Sequence, residues 1–450
     1  MITRLLSFVA LTVSLMPATL PAQDLQGQAR QLATNLFSRQ FDQVAAQFDE
    51  KMSAAMPPDK LVAMLDALQA QAGQFRSITG TRPEEMAGYR IVYVTCQFEK
   101  AALDLRLVYD GKGRVAGMFF AQSQPRVDWS APAYASPSVF EERETVVVSD
   151  TYRLPGTLSL PKGAGPFPAI VLVHGSGPQD RDETIGQNKP FKDLAWGLAS
   201  RGVAVLRYTK RTLLMAESKT SLPSVFTVKQ ETVDDALAAV AQLAGMSVID
   251  PKRIYVLGHS LGGMLAPRIA AGNRQIAGIV ILAGTTRPLE QVIVEQLKYL
   301  AGLPGNNTAE AGKQIQAAEQ AAKMIQDPAL TPTATINLVG SRIPGSYFLD
   351  LRNYRPAEAA AELKIPMLVL QGERDYQVTM KDFEGWKQAL EGHAGVSFKV
   401  YPGLTHLFMP SAEPGSGPGT PGDYSKPGHV VETVIADIES WIQANPSTHK

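Results

Sequence analysis

The segment Gly258-His259-Ser260-Leu261-Gly262-Gly263 constrains this chain most, because of what surrounds it. It follows the apolar run Ile254-Tyr255-Val256-Leu257 and opens a helical stretch near Met264. A serine on a sharp strand-to-helix turn occupies strained backbone space, and glycines two residues away on either side avoid side-chain clashes. The helix N-terminus and the Leu261 amide then face an oxyanion developing on a carbonyl under attack by Ser260. G-x-S-x-G strings arise by chance, but this one is alone in the chain and sits between an apolar strand and a helix.

A turn of that kind needs a parallel sheet, and residues 140–450 predict one. Strands are expected at 144–148, 152–160, 169–173, 203–206, 254–257, 276–282, 366–370 and 397–400. Inner ones such as Ala169-Ile170-Val171-Leu172-Val173 are apolar throughout, as strands covered on both faces must be. Helices expected at 191–200, 230–243 and 380–390 alternate with them, giving a doubly wound, mostly parallel sheet. Residues 288–355 interrupt the alternation with two helical stretches, 290–300 and 310–325, and then a loop rich in Pro and Gly. They are expected to be a helical insertion that caps the site or merely packs beside it.

A nucleophilic serine needs a base and an acid to orient it. Of six histidines, His259 adjoins the serine and cannot easily turn back onto it, so turn packing is its expected role. His174 suits an oxyanion loop, His393 a turn, His429 the start of the last helix, and His449 the tail. His406 remains, in the loop Gly403-Leu404-Thr405-His406-Leu407-Phe408 beyond the last strand, at the edge where such sheets bind ligands. The acid should fall between serine and histidine in chain order. Asp375, just past the strand ending near Leu370, is the candidate; Glu373 is its nearest rival, and Asp382 is expected on the next helix.

With these residues in place, the chain from about Phe140 onward resembles the bacterial α/β-hydrolase esterases. Their loop His-Gly-Ser-Gly-Pro followed by Asp-Arg-Asp stands here as His174-Gly175-Ser176-Gly177-Pro178-Gln179-Asp180-Arg181-Asp182. The resemblance implies that this loop carries the second oxyanion donor, matched to the Ser176 amide, with Gly175 and Gly177 as alternatives. A further family stretch, Arg-Tyr-Asp-Lys-Arg-Gly, reads Arg207-Tyr208-Thr209-Lys210-Arg211-Thr212 and departs at two positions. The implied chemistry is hydrolysis of a small-molecule carboxylic ester of short or medium acyl group by Ser260, Asp375 and His406, with the Leu261 and Ser176 amides as oxyanion hole. Peptide or amide hydrolysis by the same residues, and binding without catalysis, are the competing functions. No cofactor is expected, and no zinc spacing of His and Cys or phosphate-binding Gly-rich loop is present.

The N-terminal part reads differently. Residues 24–125 predict helices over 25–48 and beyond Pro57-Pro58, then strands at 89–98, 101–109 and 115–121. That is a small α+β domain resembling cystatin-like or nuclear-transport-factor-like domains. Residues 126–139, with Ser130-Ala131-Pro132-Ala133 and Ser136-Pro137, are the expected linker. Arg4, the apolar run from Leu5 to Met16 and Ala22 make residues 1–22 an expected signal peptide, too short to span a bilayer, and the protein an expected exported one, periplasmic or secreted. The single cysteine, Cys96, excludes an internal disulfide and sits in an alternating run as a small hydrophobe. Lys plus Arg equals Asp plus Glu at 43 each, so no basic excess favours nucleic acid, and no later run is apolar enough for an integral membrane span.

Overall fold

A computed structural model describes residues 24–86, 89–123, 129–218, 220–304, 306, 308–411 and 417–446; the expected signal peptide lies outside them. The chain forms two compact units that divide between residues 125 and 126.

In the first unit, α1 (Leu25–Phe37) begins where the Asp24 side chain accepts the Gly27 N–H. The single helix expected over 25–48 is broken: Arg39 takes φ 60°, and the chain re-enters a short α2 (Phe41–Ala45). Two further helices, α3 (Glu50–Ala55) and α4 (Pro58–Ala72), lead into an antiparallel meander. Its strands are β1 (Phe75–Met86), β2 (Tyr89–Phe98), β3 (Ala102–Tyr109) and β4 (Val115–Gln122), in that spatial order. The core gathers Leu32 and Leu36 from α1 with Val92, Val94, Cys96, Leu105 and Leu107 from the sheet. Burial pushes the Cys96 thiol up to about 12, so it packs as a neutral small hydrophobe.

The second unit holds an eight-stranded sheet. A hairpin of β5 (Phe140–Ser149) and β6 (Tyr152–Pro161) pairs antiparallel onto its edge. The parallel part is β7 (Phe167–Val173), β8 (Ala204–Tyr208), β9 (Ile249–His259) and β10 (Ile276–Leu282). Beyond a small hairpin, β11 (Thr335–Leu338) and β12 (Ser341–Pro344), it resumes as β13 (Met367–Gly372) and β14 (Val396–Tyr401). The order across the sheet is β14-β13-β10-β9-β7-β8-β6-β5, the expected doubly wound, mostly parallel architecture. Strand side chains alternate between faces, so β7 sends Val171 and Val173 into one core and Ile170 and Leu172 into the other. Helices α5 (Pro190–Ala199), α6 (Arg211–Glu217), α7 (Asp234–Ala244) and α8 (Leu261–Ala271) connect the earlier strands.

The insertion contains α9 (Leu289–Gly302), α10 (Ala309–Gln326), the β11–β12 hairpin and α11 (Gly345–Leu351). Buried Ala318, Ala321 and Ile325 of α10 join the same core as Met264 and Leu265 of α8. After it come α12 (Pro356–Ala361), α13 (Met380–Ala389) and α14 (Glu432–Ala444). The expected linker is not free chain. Trp129 Nε1 donates to Asp193, the Ser136 N–H to Ser200 Oγ, and Tyr134 OH to the Val430 carbonyl, so residues 129–139 are bound to the second unit. His429 precedes α14 rather than starting it, and its Nδ1 meets Asp193 at 3.0 Å. No helix among the described residues is long and apolar enough to cross a membrane.

Candidate active site

Ser260 joins β9 to α8 with φ 54° and ψ −113°, a left-handed backbone that costs a non-glycine residue about 1–3 kcal/mol. Its N–H is held by the Leu282 carbonyl at 3.0 Å, and its carbonyl accepts the Met264 N–H that starts the helix. The glycines around it are steric requirements. A Cβ on Gly258 would stand 2.1 Å from the Gly262 carbonyl oxygen, and one on Gly262 would stand 2.2 Å from that of Val173. The ends of β9 and β7 and the start of α8 therefore meet backbone to backbone. Glu183, Ala283 and Phe408 also take positive φ, in loops that follow β7, β10 and β14.

Asp375 lies on the loop after β13 and is 1% exposed. One carboxylate oxygen accepts the N–H groups of Gln377 and Val378 at 2.7 and 3.0 Å; the other accepts Gln371 Nε2 at 3.2 Å and faces His406 Nδ1 at 2.6 Å. His406 is itself 3% exposed, on the loop after β14. The carboxylate holds the proton on Nδ1 and makes Nε2 the basic nitrogen. Neither rival for the acid is the carboxylate that meets His406. Glu373 is exposed, and Asp382 is spent on Arg287, Thr285 and Thr286.

The loop after β7 runs against the serine: a Cβ on Gly175 would be 3.1 Å from Ser260 Cβ. Gly175 donates its N–H to Glu183 Oε1 at 2.7 Å, which removes it from the three candidate oxyanion donors and leaves Ser176 and Gly177. Lys210 Nζ holds the Gly175 carbonyl at 2.9 Å, and His174 Nε2 donates to the Asp180 carbonyl at 2.9 Å. Burial pulls His174 down to about 4, so it is neutral.

The stretch Arg207–Thr212 also acquires roles. Arg207 joins Asp182, Glu142 and Ser159; Lys210 pairs with Glu231 at 3.3 Å; Arg211 pairs with Asp235. Thr212, one of the two departing residues, donates to Glu231.

His259 does more than pack in the turn. Its Nδ1 meets Glu183 Oε2 at 2.8 Å, and its Nε2 meets the backbone carbonyl of His406 at 3.0 Å. Burial opposes a charged His259, but the Glu183 carboxylate and the His406 carbonyl outweigh it and raise its pKa. For Glu183, burial likewise opposes the charge, and His259 outweighs it and holds the carboxyl below its usual range. Glu183 and Lys210 were not among the residues expected from sequence as site components. Both are loop charges, and a loop charge looks solvated until the fold shows it buried.

A serine on a strained elbow, a buried Asp–His pair on the loops after β13 and β14, and a glycine-bearing loop against the serine are the arrangement of a serine hydrolase of α/β type. Residues 170–415 match the alpha/beta hydrolase family, and this chain belongs to it. Residues 29–118 match a protein family of unknown function, DUF3887. The chain is similar to esterase EstD of Thermotoga maritima, with 40% identity over 408 residues that make up 91% of this chain and 93% of that protein. Among solved structures it aligns with Est1E from Butyrivibrio proteoclasticus at 17% identity and a TM-score of 0.45, over 67% of this chain and 98% of that one.

Proposed function

We propose that the protein is a carboxylesterase that hydrolyses esters of small or medium acyl groups through a Ser260 acyl-enzyme. The observation that carries the reading is the 2.6 Å contact between the fixed Asp375 carboxylate and His406, beside a serine held in strained backbone. The 40% identity to an esterase across nearly the whole chain supports the ester as the bond cleaved.

In this mechanism His406 Nε2 takes the Ser260 hydroxyl proton as Oγ bonds to the ester carbonyl carbon. The Leu261 and Ser176 amides hold the resulting oxyanion. Collapse expels the alcohol, which leaves with the proton from His406. A water then gives its proton to Nε2 and attacks the acyl-enzyme, releasing the acid and restoring Ser260. Asp375 keeps the imidazole oriented and stabilises the imidazolium without taking its proton.

The test is Ser260→Ala, which should fold as the parent does yet lose turnover of p-nitrophenyl esters by about a million-fold. Comparable turnover by the folded variant would put the nucleophile elsewhere. Export of the protein, directed by residues 1–22, belongs to the same proposal and is supported by Arg4, the apolar run and Ala22. Mass spectrometry of protein recovered from its host should find the leader gone; an intact Met1 would overturn export.

A further inference from the structure

Beside the Asp375–His406 pair lies a second buried carboxylate–imidazole pair, to which the mechanism above gives no task. Glu183 and His259 are 1% and 3% exposed. Glu183 reaches the oxyanion loop through the Gly175 N–H, and His259 reaches the base loop through the His406 carbonyl. Both ring nitrogens of His259 face acceptors, a carboxylate and a carbonyl. A ring that satisfies both must carry two protons, which makes it an imidazolium balanced by Glu183. The rings of His259 and His406 lie 4.6 Å apart, so the second pair touches the first.

We propose that Glu183 and His259 are positioning residues that hold the oxyanion loop and the His406 loop in register around Ser260. The proposal rests on the reading of Ser260 and His406 as nucleophile and base. One carboxylate fixes where the Ser176 amide points by tying down the residue before it. It also fixes, through one imidazolium, the backbone from which the His406 side chain springs. Both act through others, and the backbone at Glu183, with φ 51°, is strained to bring its carboxylate there.

The geometry makes the variants discriminating. Glu183→Gln can still accept the Gly175 N–H with Oε1 while its amide donates to Nδ1, so His259 becomes neutral and keeps Nε2–H on His406. Glu183→Ala abandons both loops. His259→Asn imitates Nδ1, keeps the Glu183 contact and deletes only the bond to His406.

The experiment measures kcat and KM on p-nitrophenyl acetate and butyrate, with active sites counted by fluorophosphonate labelling. Misplacing reacting groups by about 1 Å costs on the order of 100-fold. Glu183→Ala should therefore lose about 100-fold in kcat per labelled site with KM within about twofold. His259→Asn should lose about tenfold, and Glu183→Gln should stay within about threefold of the parent. A purely structural role predicts fewer labelled sites, each turning over at the parental rate, and that result in Glu183→Ala would overturn the proposal. Should Glu183→Ala not fold, parental turnover per site in His259→Asn overturns it instead. If the parent itself is unlabelled at Ser260, the reading of the nucleophile fails, an outcome separate from either.

Discussion

His406 Nδ1 stands 2.6 Å from Asp375 Oδ2, and the other oxygen of that carboxylate is pinned by two backbone N–H groups two and three residues further on. The acid is thus oriented by its own loop before it orients the histidine. Asp375→Asn keeps the shape but can present an N–H to Nδ1. That favours the imidazole tautomer in which Nε2 carries the proton and cannot accept one from Ser260. Ester turnover should fall by about ten-thousandfold while the melting temperature moves little. A loss below about tenfold would assign the orienting role to another group.

The glycines of the elbow differ from those of the oxyanion loop in what they protect. A Cβ on Gly262 would press into the carbonyls of Val173 and His174, which belong to the strand end and cannot step aside. Gly177 takes φ 83° but faces open space. Gly262→Ala should destabilise by about 3 kcal/mol or more and reduce soluble protein, whereas Gly177→Ala should cost about 1 kcal/mol. Denaturant melts of the two variants check the order; equal stabilities would mean that the elbow relaxes.

The positions of Ser260, Asp375 and His406 were legible because the chemistry proposed for them requires strand ends and a fixed chain order, and the structure places Asp375 and His406 in contact. The inner strands were legible because burial on both faces makes most of their positions apolar, with Arg207 of β8 and Gln371 of β13 as buried exceptions. Glu183 was not, since it follows Asp180-Arg181-Asp182 and looks like one more solvated charge until β7 and β9 bring Gly175 and His259 to it. The break at Arg39 hid behind an apolar stripe that continues through it, from Leu32 and Leu36 to Val44 and Phe48. Strand β1 hid because an edge strand paired only with β2 can carry polar residues such as Arg76, Thr79 and Arg82. The β11–β12 hairpin turns through Val339 and Gly340, both at positive φ. Valine stands where such turns favour asparagine or glycine, so the usual signal is missing.

Acid should destabilise the fold through His174. The unfolded chain takes up the proton near pH 6.5, whereas the folded chain resists until about pH 4. Between those values the unfolded state binds more protons, so stability falls as pH is lowered through that window, by on the order of 3 kcal/mol from this residue. His259 works in the opposite direction: its raised pKa favours the folded state as the pH falls toward the ordinary histidine value. His174→Gln keeps a donor for the Asp180 carbonyl and has no imidazole to protonate. Urea melts at pH 7 and pH 4 should show a smaller loss for this variant than for the parent. An equal loss would mean that His174 does not govern acid sensitivity.

The insertion divides into residues that hold it down and residues that face a cavity beside the acid loop. Ile325 is 3% exposed and sits in the core with Phe348 and Met264, so Ile325→Ala should act as a cavity mutation of about 2–5 kcal/mol. Helix α9 instead sends Val292, Gln296 and Tyr299 to a cavity of about 150 Å³, closed on the other side by Tyr376, Gln377 and Pro418. Tyr376 directly follows Asp375, Gln296 donates to the Gln377 carbonyl, and the Tyr299 and Tyr376 rings stack 5.8 Å apart. Val292→Ala and Tyr299→Ala should therefore change the ratio of kcat/KM between p-nitrophenyl acetate and octanoate by about fivefold, since about 1 kcal/mol of acyl contact amounts to that. Ile325→Ala should lower the melting temperature and leave the ratio alone. If all three variants lose both substrates in equal proportion, α9 only packs the insertion onto the body, and acyl selection belongs to other residues.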